Sequence, residues 1–369
     1  MKQQRFRVGI IGLQPGASWA ALAHLPALQA LPDDYQVVGV ANTSLASAVS
    51  AALACGVPRA FSSAAELIGS PDIDVVVVAV KIPHHFDIVK MAIEAGKPVY
   101  CEWALGNGLA EASALADLAR ARGVLGVIGT QALVAPEFEY ARQLVSEGYV
   151  GEVLSSTLIA SGLAWGAQVD QRNTYLLDPS NGATMLTIPF GHTIAAVQNI
   201  LGNIIEVSAR LVNRRKSVQV VETNEVLPMT APDQLIVDGL LTNGAPIAVH
   251  YRGGVSRGTG FLLEINGTDG DLQISGDHGH AQFAQLSISG GRGEDREVRP
   301  LDVPTSIDPE WPQHPVPRNV ARLYAMMAQD LRSGTSTAPT FDYAVGLHRL
   351  IAAVEESAKA GGRVSIDSL

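Results

Sequence analysis

Between residues 7 and 128, apolar runs of strand length alternate with stretches of helical spacing, and no other feature constrains the fold as tightly. Strand signals fall at 7–12, 36–41, 74–80, 98–101 and 124–128, and helical spacing occupies 17–31, 45–55, 64–68, 86–95 and 109–122. The Val-rich run at 74–80 has no polar face, as a strand covered on both sides requires. Strands that return in one direction after each helix build a parallel, doubly wound sheet. The expectation is a Rossmann domain over 1–130.

Beyond residue 130 the pattern changes. A helical segment at 138–147 precedes two-faced strands at 154–161, 206–213, 233–241, 247–251, 261–267 and 271–275. Asn243-Gly244, Asn266-Gly267 and Asp269-Gly270 supply turns between them. Helices return at 319–331 and 342–359, while 290–317, rich in Gly, Pro and charge, reads as a long surface loop. A second domain over 131–369 is expected: an α/β unit built on a large open, mainly antiparallel sheet. An uncovered face of that size points to a homodimer or homotetramer.

Composition narrows the function. A net charge of −10 argues against direct nucleic-acid binding, which needs a basic face, and Arg214-Arg215-Lys216 reads as a solvated turn. Cys55 and Cys101 suit a reducing compartment. The N-terminus enters a strand without room for a signal segment, and the apolar runs are strand-sized, so a cytoplasmic protein that does not cross a membrane is expected.

The segment VGIIGLQPGASW (8–19) sets glycines between the first strand and the first helix. Such a turn lets a pyrophosphate approach the backbone at a helix N-terminus. Its candidate cofactor contacts are Gly12, Leu13, Gln14, Gly16, Ser18 and Trp19, although Gln14-Pro15 lengthens the usual spacing. The second strand ends in Asn42, Thr43 and Ser44 with no carboxylate to meet an adenosine ribose, which favours NADP and leaves NAD as the other form. The alternative for Ser44 is a helix cap.

Further candidates fall at strand ends: AVKIPHH (79–85), CEWAL (101–105) and GTQA (129–132), with NGATMLTIPFGHTI (181–194) entering the second domain. Lys81, His85, Glu102, Trp103 and Gln131 extend the cofactor set. Lys81 interrupts an apolar strand end, and either moves a proton or pairs with Glu102. His192, with an ordinary imidazole pKa near neutrality, is a general acid/base candidate. Trp103, Trp165, Tyr175 and His192 are the candidate contacts to a sugar-like small molecule. His278 and His280 share a turn without a third ligand, so no metal is assigned.

AHLPAL (23–28), EAGKPVYCEWAL (94–105) and EINGTDGDLQISGD (264–277) resemble the Gfo/Idh/MocA family of nicotinamide-dependent sugar oxidoreductases, and the resemblance covers nearly the whole chain. EWAL and FGHTI (190–194) point to its Gal80-like branch, whose yeast member binds a dinucleotide and acts as a transcriptional inhibitor. The family's Glu-Lys-Pro falls on Glu102-Trp103-Ala104, so Trp103 replaces the proton-relay lysine. Its Asp-x-x-x-His pair falls on Ile188 and His192, and its arginine after the fifth strand falls near Leu133. The resemblance implies an NAD(P)-dependent oxidoreductase acting on a sugar, sugar derivative or cyclic polyol, with Lys81 or His192 handling the proton. The alternative it implies is a nonenzymatic, dinucleotide-bound sensor that acts through a protein partner.

Overall fold

A computed structural model describes residues 4–16, 18–304 and 311–368. The chain forms two compact units, 1–131 with 307–346, and 132–306 with 347–369.

The first unit is built on strands β1 (Phe6–Ile11), β2 (Tyr35–Ala41), β3 (Arg59–Phe61), β4 (Val75–Val78), β5 (Val99–Glu102) and β6 (Gly126–Gly129), all parallel, in the order β3-β2-β1-β4-β5-β6. This is the doubly wound arrangement expected from the sequence, with its switch point between β1 and β4. Val75 to Val78 are fully buried, which explains their unbroken apolar character. The strands are joined through α1 (Leu25–Gln29), α2 (Leu45–Cys55), α3 (Ala64–Gly69), α4 (His85–Glu94) and α5 (Leu109–Arg122). Ser44 and Ser63 cap α2 and α3 by accepting N–H bonds, and Gly56 ends α2 in the left-handed region.

The sequence reading carries the second domain unbroken from 131 to 369, but 307–346 packs in the first unit. Helical spacing announces a helix without saying which sheet it covers. Here α8 (Pro315–Ser333), after α6 (Pro136–Ser146) and α7 (Gly191–Leu201) of the other unit, buries Val320, Leu323, Tyr324 and Met327. Tyr324 lies 4.7 Å from the ring of Tyr100 and 5.4 Å from that of Tyr35. Asp330 then accepts N–H bonds from Thr337 and Ala338, turning the chain so that Pro339 O meets Ile128 N–H and protects the outer edge of β6.

The second unit holds β7 (Val153–Ser161), β8 (Gln168–Val169), β9 (Ile204–Val212), β10 (Ser217–Val220), β11 (Val226–Pro228), β12 (Gln234–Leu241), β13 (Pro246–Arg252), β14 (Phe261–Gly267), β15 (Gly270–Gly276), β16 (Leu286–Arg292), β17 (Arg299–Pro300) and β18 (Val364–Ser365). Its large sheet runs β17-β16-β15-β14-β7-β13-β12-β9-β18, and β11-β10-β8 form a small second sheet. The large sheet is antiparallel except where β13 runs parallel to β7. Alternation sorts each strand: Ile247, Val249 and Tyr251 of β13 are buried, while Ala248, His250 and Arg252 point to the other face. The loop expected over 290–317 is shorter than read, because β16, β17 and α8 each take part of it; 305–310 lie outside the described residues. The last helix, α9 (Phe341–Ala360), supplies Ser357, whose Oγ accepts from Ala209 N–H in β9. Among the described residues, no helix is long and apolar enough to cross a membrane.

Candidate functional site

The glycine turn follows β1. Gly12 has φ +102°, and a Cβ there would lie 2.6 Å from Ala79 O, so only glycine lets the turn rest against the end of β4. Gly16 has φ +67° with open space beside it. Ser18 closes the lengthened spacing: its Oγ accepts from Gln14 N–H at 2.8 Å and donates to Gln14 O at 2.9 Å. Gln14 is exposed and Trp19 half-buried, while the Leu13 side chain is fully buried, so Leu13 offers a ligand its backbone alone. Ala17 lies outside the described residues. A π turn (Ala20–His24) leads into α1.

At the end of β2 the expected trio divides. Asn42 Nδ2 donates to Leu13 O at 2.8 Å and to Ser47 Oγ at 3.2 Å, which ties the glycine turn to α2. Ser44 Oγ accepts from Ser47 N–H at 3.2 Å as the cap of α2. This corrects the expectation that Asn42, Thr43 and Ser44 all face a 2′-phosphate, because the Asn42 amide is committed within the fold. Thr43 and Ser44 are exposed, with the Ser44 O–H still able to donate.

At the carboxyl edge of β5, Glu102 is held by other partners than Lys81. Gln131 Nε2 donates to its two oxygens at 2.7 and 2.9 Å. His24 Nε2 lies 2.9 Å from Oε1, yet off the direction of a directed hydrogen bond, so this contact is one of charge and dipole. On its other side, His24 Nδ1 lies 2.7 Å from the Tyr324 hydroxyl, and Tyr35 donates to Tyr324 O at 2.8 Å. The pairing of Lys81 with Glu102 is thereby corrected: Lys81 is exposed at the start of the 3-10 turn Ile82–His84. Gln131, expected to meet a ligand, is fully buried with its amide committed to Glu102 and its Oε1 sealed without a partner.

His85 is likewise a brace and not a cofactor contact. Its Nδ1 lies 2.6 Å from Ala104 O and its Nε2 2.9 Å from Val80 O. Burial pushes its pKa down against the pull of these carbonyls, so the neutral ring donates to one of them. Trp103 is 4% exposed, and its peptide bond to Ala104 is cis. An indole there presents apolar surface and one N–H donor but no exchangeable proton at neutral pH.

In the second unit, Pro189 has no N–H, and Phe190 N–H reaches back to Met185 O at 3.2 Å. The result is a π turn (Leu186–Phe190) that runs into α7 and carries His192. His192 is buried and makes no hydrogen bond; its Nδ1 is sealed, which leaves Nε2 as the atom able to meet a ligand. Burial, aided by His280, pushes its pKa down to about 3. The expectation of a near-neutral acid/base is corrected accordingly. At pH 7 this ring is uncharged and accepts a proton poorly, though it remains a good hydrogen-bonding partner for a hydroxyl.

His280 donates from Nε2 to Gly162 O at 2.7 Å, faces Gln282 Nε2 across 3.3 Å, and is pushed down to about 4 by burial. Trp165, a candidate contact to a sugar-like molecule, is packed in the core at 2% exposure; its indole N–H donates to Leu176 O at 3.0 Å and its ring lies parallel to His280. Leu163 and Trp165 hold this loop in the left-handed region, at φ +57° and +58°. Tyr175 is half-buried in the 3-10 turn Gln171–Leu177. The Tyr251 hydroxyl lies within bonding reach of Thr193 Oγ1 (2.7 Å), Gly279 O (3.0 Å) and Pro189 O (3.2 Å), pinning the His192 turn to the His278–His280 turn. Sequence reasoning missed His24, Tyr324 and Tyr251 as site residues; His24 stood in the AHLPAL segment, and neither tyrosine carried a motif.

Two family models match the chain. Residues 6–130 match the family model GFO_IDH_MocA, described as an oxidoreductase family with an NAD-binding Rossmann fold, and 136–276 match that of the Gal80p C-terminal domain. The galactose/lactose metabolism regulatory protein GAL80 of Kluyveromyces lactis is 31% identical over 76% of this chain, and the match spans 66% of that protein's length. The dehydrogenase aclE of Aspergillus oryzae is 35% identical over 54% of the chain and 56% of its own. The crystal structure of a super-repressor mutant of Gal80p from Saccharomyces cerevisiae superposes with a TM-score of 0.89 at 25% identity, covering 98% of each chain.

Proposed function

Because the chain belongs to the Gfo/Idh/MocA oxidoreductase family, with a C-terminal domain of the Gal80 type, we propose that it binds a nicotinamide dinucleotide and uses it on a sugar, sugar derivative or cyclic polyol. The observation that carries this reading is the glycine turn, where Gly12 admits no side chain and Gly16 leaves open space beside the backbone. Contacts to the dinucleotide fall to Gly12, Gln14, Gly16, Ser18, Trp19, Thr43 and Ser44, with NADP preferred because β2 ends without a carboxylate. In the second unit, His192 Nε2 and Tyr175 are offered to the hydroxyls and face of the ligand. The proton of hydride transfer passes through a group other than residue 103, and exposed Lys81 fits that task better than the buried, uncharged His192.

A second reading is favoured by a specific observation. Trp103 stands at the relay position and the neighbouring Glu102 is committed to His24 and Gln131, an arrangement that suits a dinucleotide-bound regulator acting through a protein partner. One experiment separates the two. NADH and NADPH are titrated calorimetrically, and a sugar and polyol panel is then followed at the nicotinamide absorbance. Turnover supports the oxidoreductase; binding without turnover across the panel supports the regulator; no binding of either dinucleotide removes both.

A further inference from the structure

The glycine turn, the end of β5 and helix α8 meet on one buried side chain. His24 closes the π turn that follows the glycine segment and is fully buried. One ring nitrogen lies 2.7 Å from the Tyr324 hydroxyl on α8, and the other 2.9 Å from the Glu102 carboxylate at the end of β5. Tyr100 of β5 packs edge-on against the imidazole, with ring centroids 5.2 Å apart. Glycine at 129 makes room for the assembly, since a Cβ there would stand 2.7 Å from Glu102 Oε1 and 2.9 Å from Gln131 Nε2. Glu102 immediately precedes Trp103, so whatever fixes the carboxylate fixes the strand end.

We propose that His24 is a positioning residue of the dinucleotide site: it sets the register between the glycine turn, read as the dinucleotide-binding turn, and the neighbouring strand end, Glu102–Trp103. The inference rests on the dinucleotide reading for its ligand, and on the His24–Glu102–Tyr324 geometry for its mechanism. The imidazole limits the drift of a carboxylate that Gln131 also binds, and the imidazole is itself held by a hydroxyl from a helix whose residues lie 300 positions along the chain. The array ends in the buried Tyr324 and therefore fixes geometry, with no path along which a proton is delivered.

Two conservative variants divide the two arms. His24→Gln places an amide near the Nε2 position and keeps a polar contact to Glu102; His24→Asn places it near Nδ1 and keeps only the Tyr324 contact. Amide hydrogen exchange over residues 102–105, without ligand, is expected to quicken about tenfold in His24→Asn and less than about threefold in His24→Gln, the scale of one contact to a charged group. Dissociation constants for NADH and NADPH, read from indole quenching, are expected to follow the same order, although both variants melt at similar temperatures. Equal behaviour of the two variants in exchange and affinity, tracking the melting temperature alone, overturns the proposal. Tyr324→Phe removes one hydroxyl and is expected to give a weaker version of the His24→Asn exchange pattern; an unchanged pattern in it also counts against the array, and it serves if His24→Asn does not fold. If the wild type binds neither dinucleotide, the dinucleotide reading fails, and the ligand-free exchange comparison still decides whether His24 fixes the strand end.

Discussion

A residue takes part in the proton step of hydride transfer only if it carries an ionisable proton on an atom that a ligand can reach, and that requirement separates the residues considered for it. Trp103 has no such proton, His85 is a buried brace, and His192 is pushed down to about 3. Exposed Lys81 is what remains at the edge of the parallel sheet. Lys81→Met is therefore expected to lower turnover by about 10²–10⁴-fold while dinucleotide affinity persists. His192→Ala is expected to raise KM more than it lowers kcat, since a neutral imidazole binds a hydroxyl better than it takes a proton. Steady-state kinetics across a sugar panel measure both, and a collapse of kcat in His192→Ala with Lys81→Met unaffected reverses the assignment. Thr43 carries the selectivity question: a carboxylate there repels a 2′-phosphate, so Thr43→Asp is expected to weaken NADPH about tenfold or more and leave NADH nearly unchanged. Calorimetry on the wild type comes first, because NADH bound as tightly as NADPH contradicts the selectivity reading outright.

Elements of strand and helix length were legible where they repeat a period over enough residues, and the glycine turn was legible because its neighbours were. The Val run became β4 and the alanine-rich segment became α2 beneath a serine cap. The two- to four-residue strands β3, β8, β10, β11, β17 and β18 were not read, since so few residues carry no period. The site was half legible for a related reason. Gly12 and Ser18 act within a few residues of one another, whereas the partner of Glu102 depends on which helix packs beneath β5, and no local signal joins residues 24, 102 and 324. Lys81 and Glu102 looked like a pair because both end neighbouring strands; the fold supplied Glu102 with His24 and Gln131 instead. The strand–turn–helix element can be tested directly. Gly12→Ala adds a Cβ 2.6 Å from Ala79 O at φ +102°, so it is expected to destabilise the first unit by about 1–3 kcal/mol and to abolish dinucleotide binding. Chemical denaturation and calorimetry report the two effects, and a Gly12→Ala variant of native stability and affinity rules out the close approach.

At the scale of the molecule, three histidines of the second unit tie stability to pH. His192, His280 and His348 are pushed down from 6.5 to about 3, about 4 and about 4, chiefly by burial. The unfolded chain binds protons at these rings first, so the stability gained by keeping them neutral is complete above about pH 6.5 and is lost as pH falls toward the folded values. Each contributes up to about 1.4 kcal/mol per pH unit in that window, so urea midpoints are expected to drop steeply between about pH 6 and about pH 4. A flat midpoint over that range contradicts their burial as neutral rings. The large sheet carries the remaining expectation, a homodimer or homotetramer. Register aligns Ser275, Leu262, Ile159, His250, Ile236 and Arg210 in one row across β15, β14, β7, β13, β12 and β9, on the face opposite the buried Leu263, Leu158, Val249 and Val237. Ile236 is 46% exposed, and Ile159 and Leu262 are half-buried, so an apolar strip lies amid Ser, Thr and charged neighbours. Such a strip on a broad sheet is costly to leave in water and suits pairing with a second copy across its centre. Light scattering at micromolar concentration is expected to show an oligomer, and Ile236→Lys, which puts a charge into that strip on each copy, is expected to dissociate it with little loss of folded stability. A monomeric wild type, or an Ile236→Lys protein that stays assembled, places any association elsewhere on the molecule.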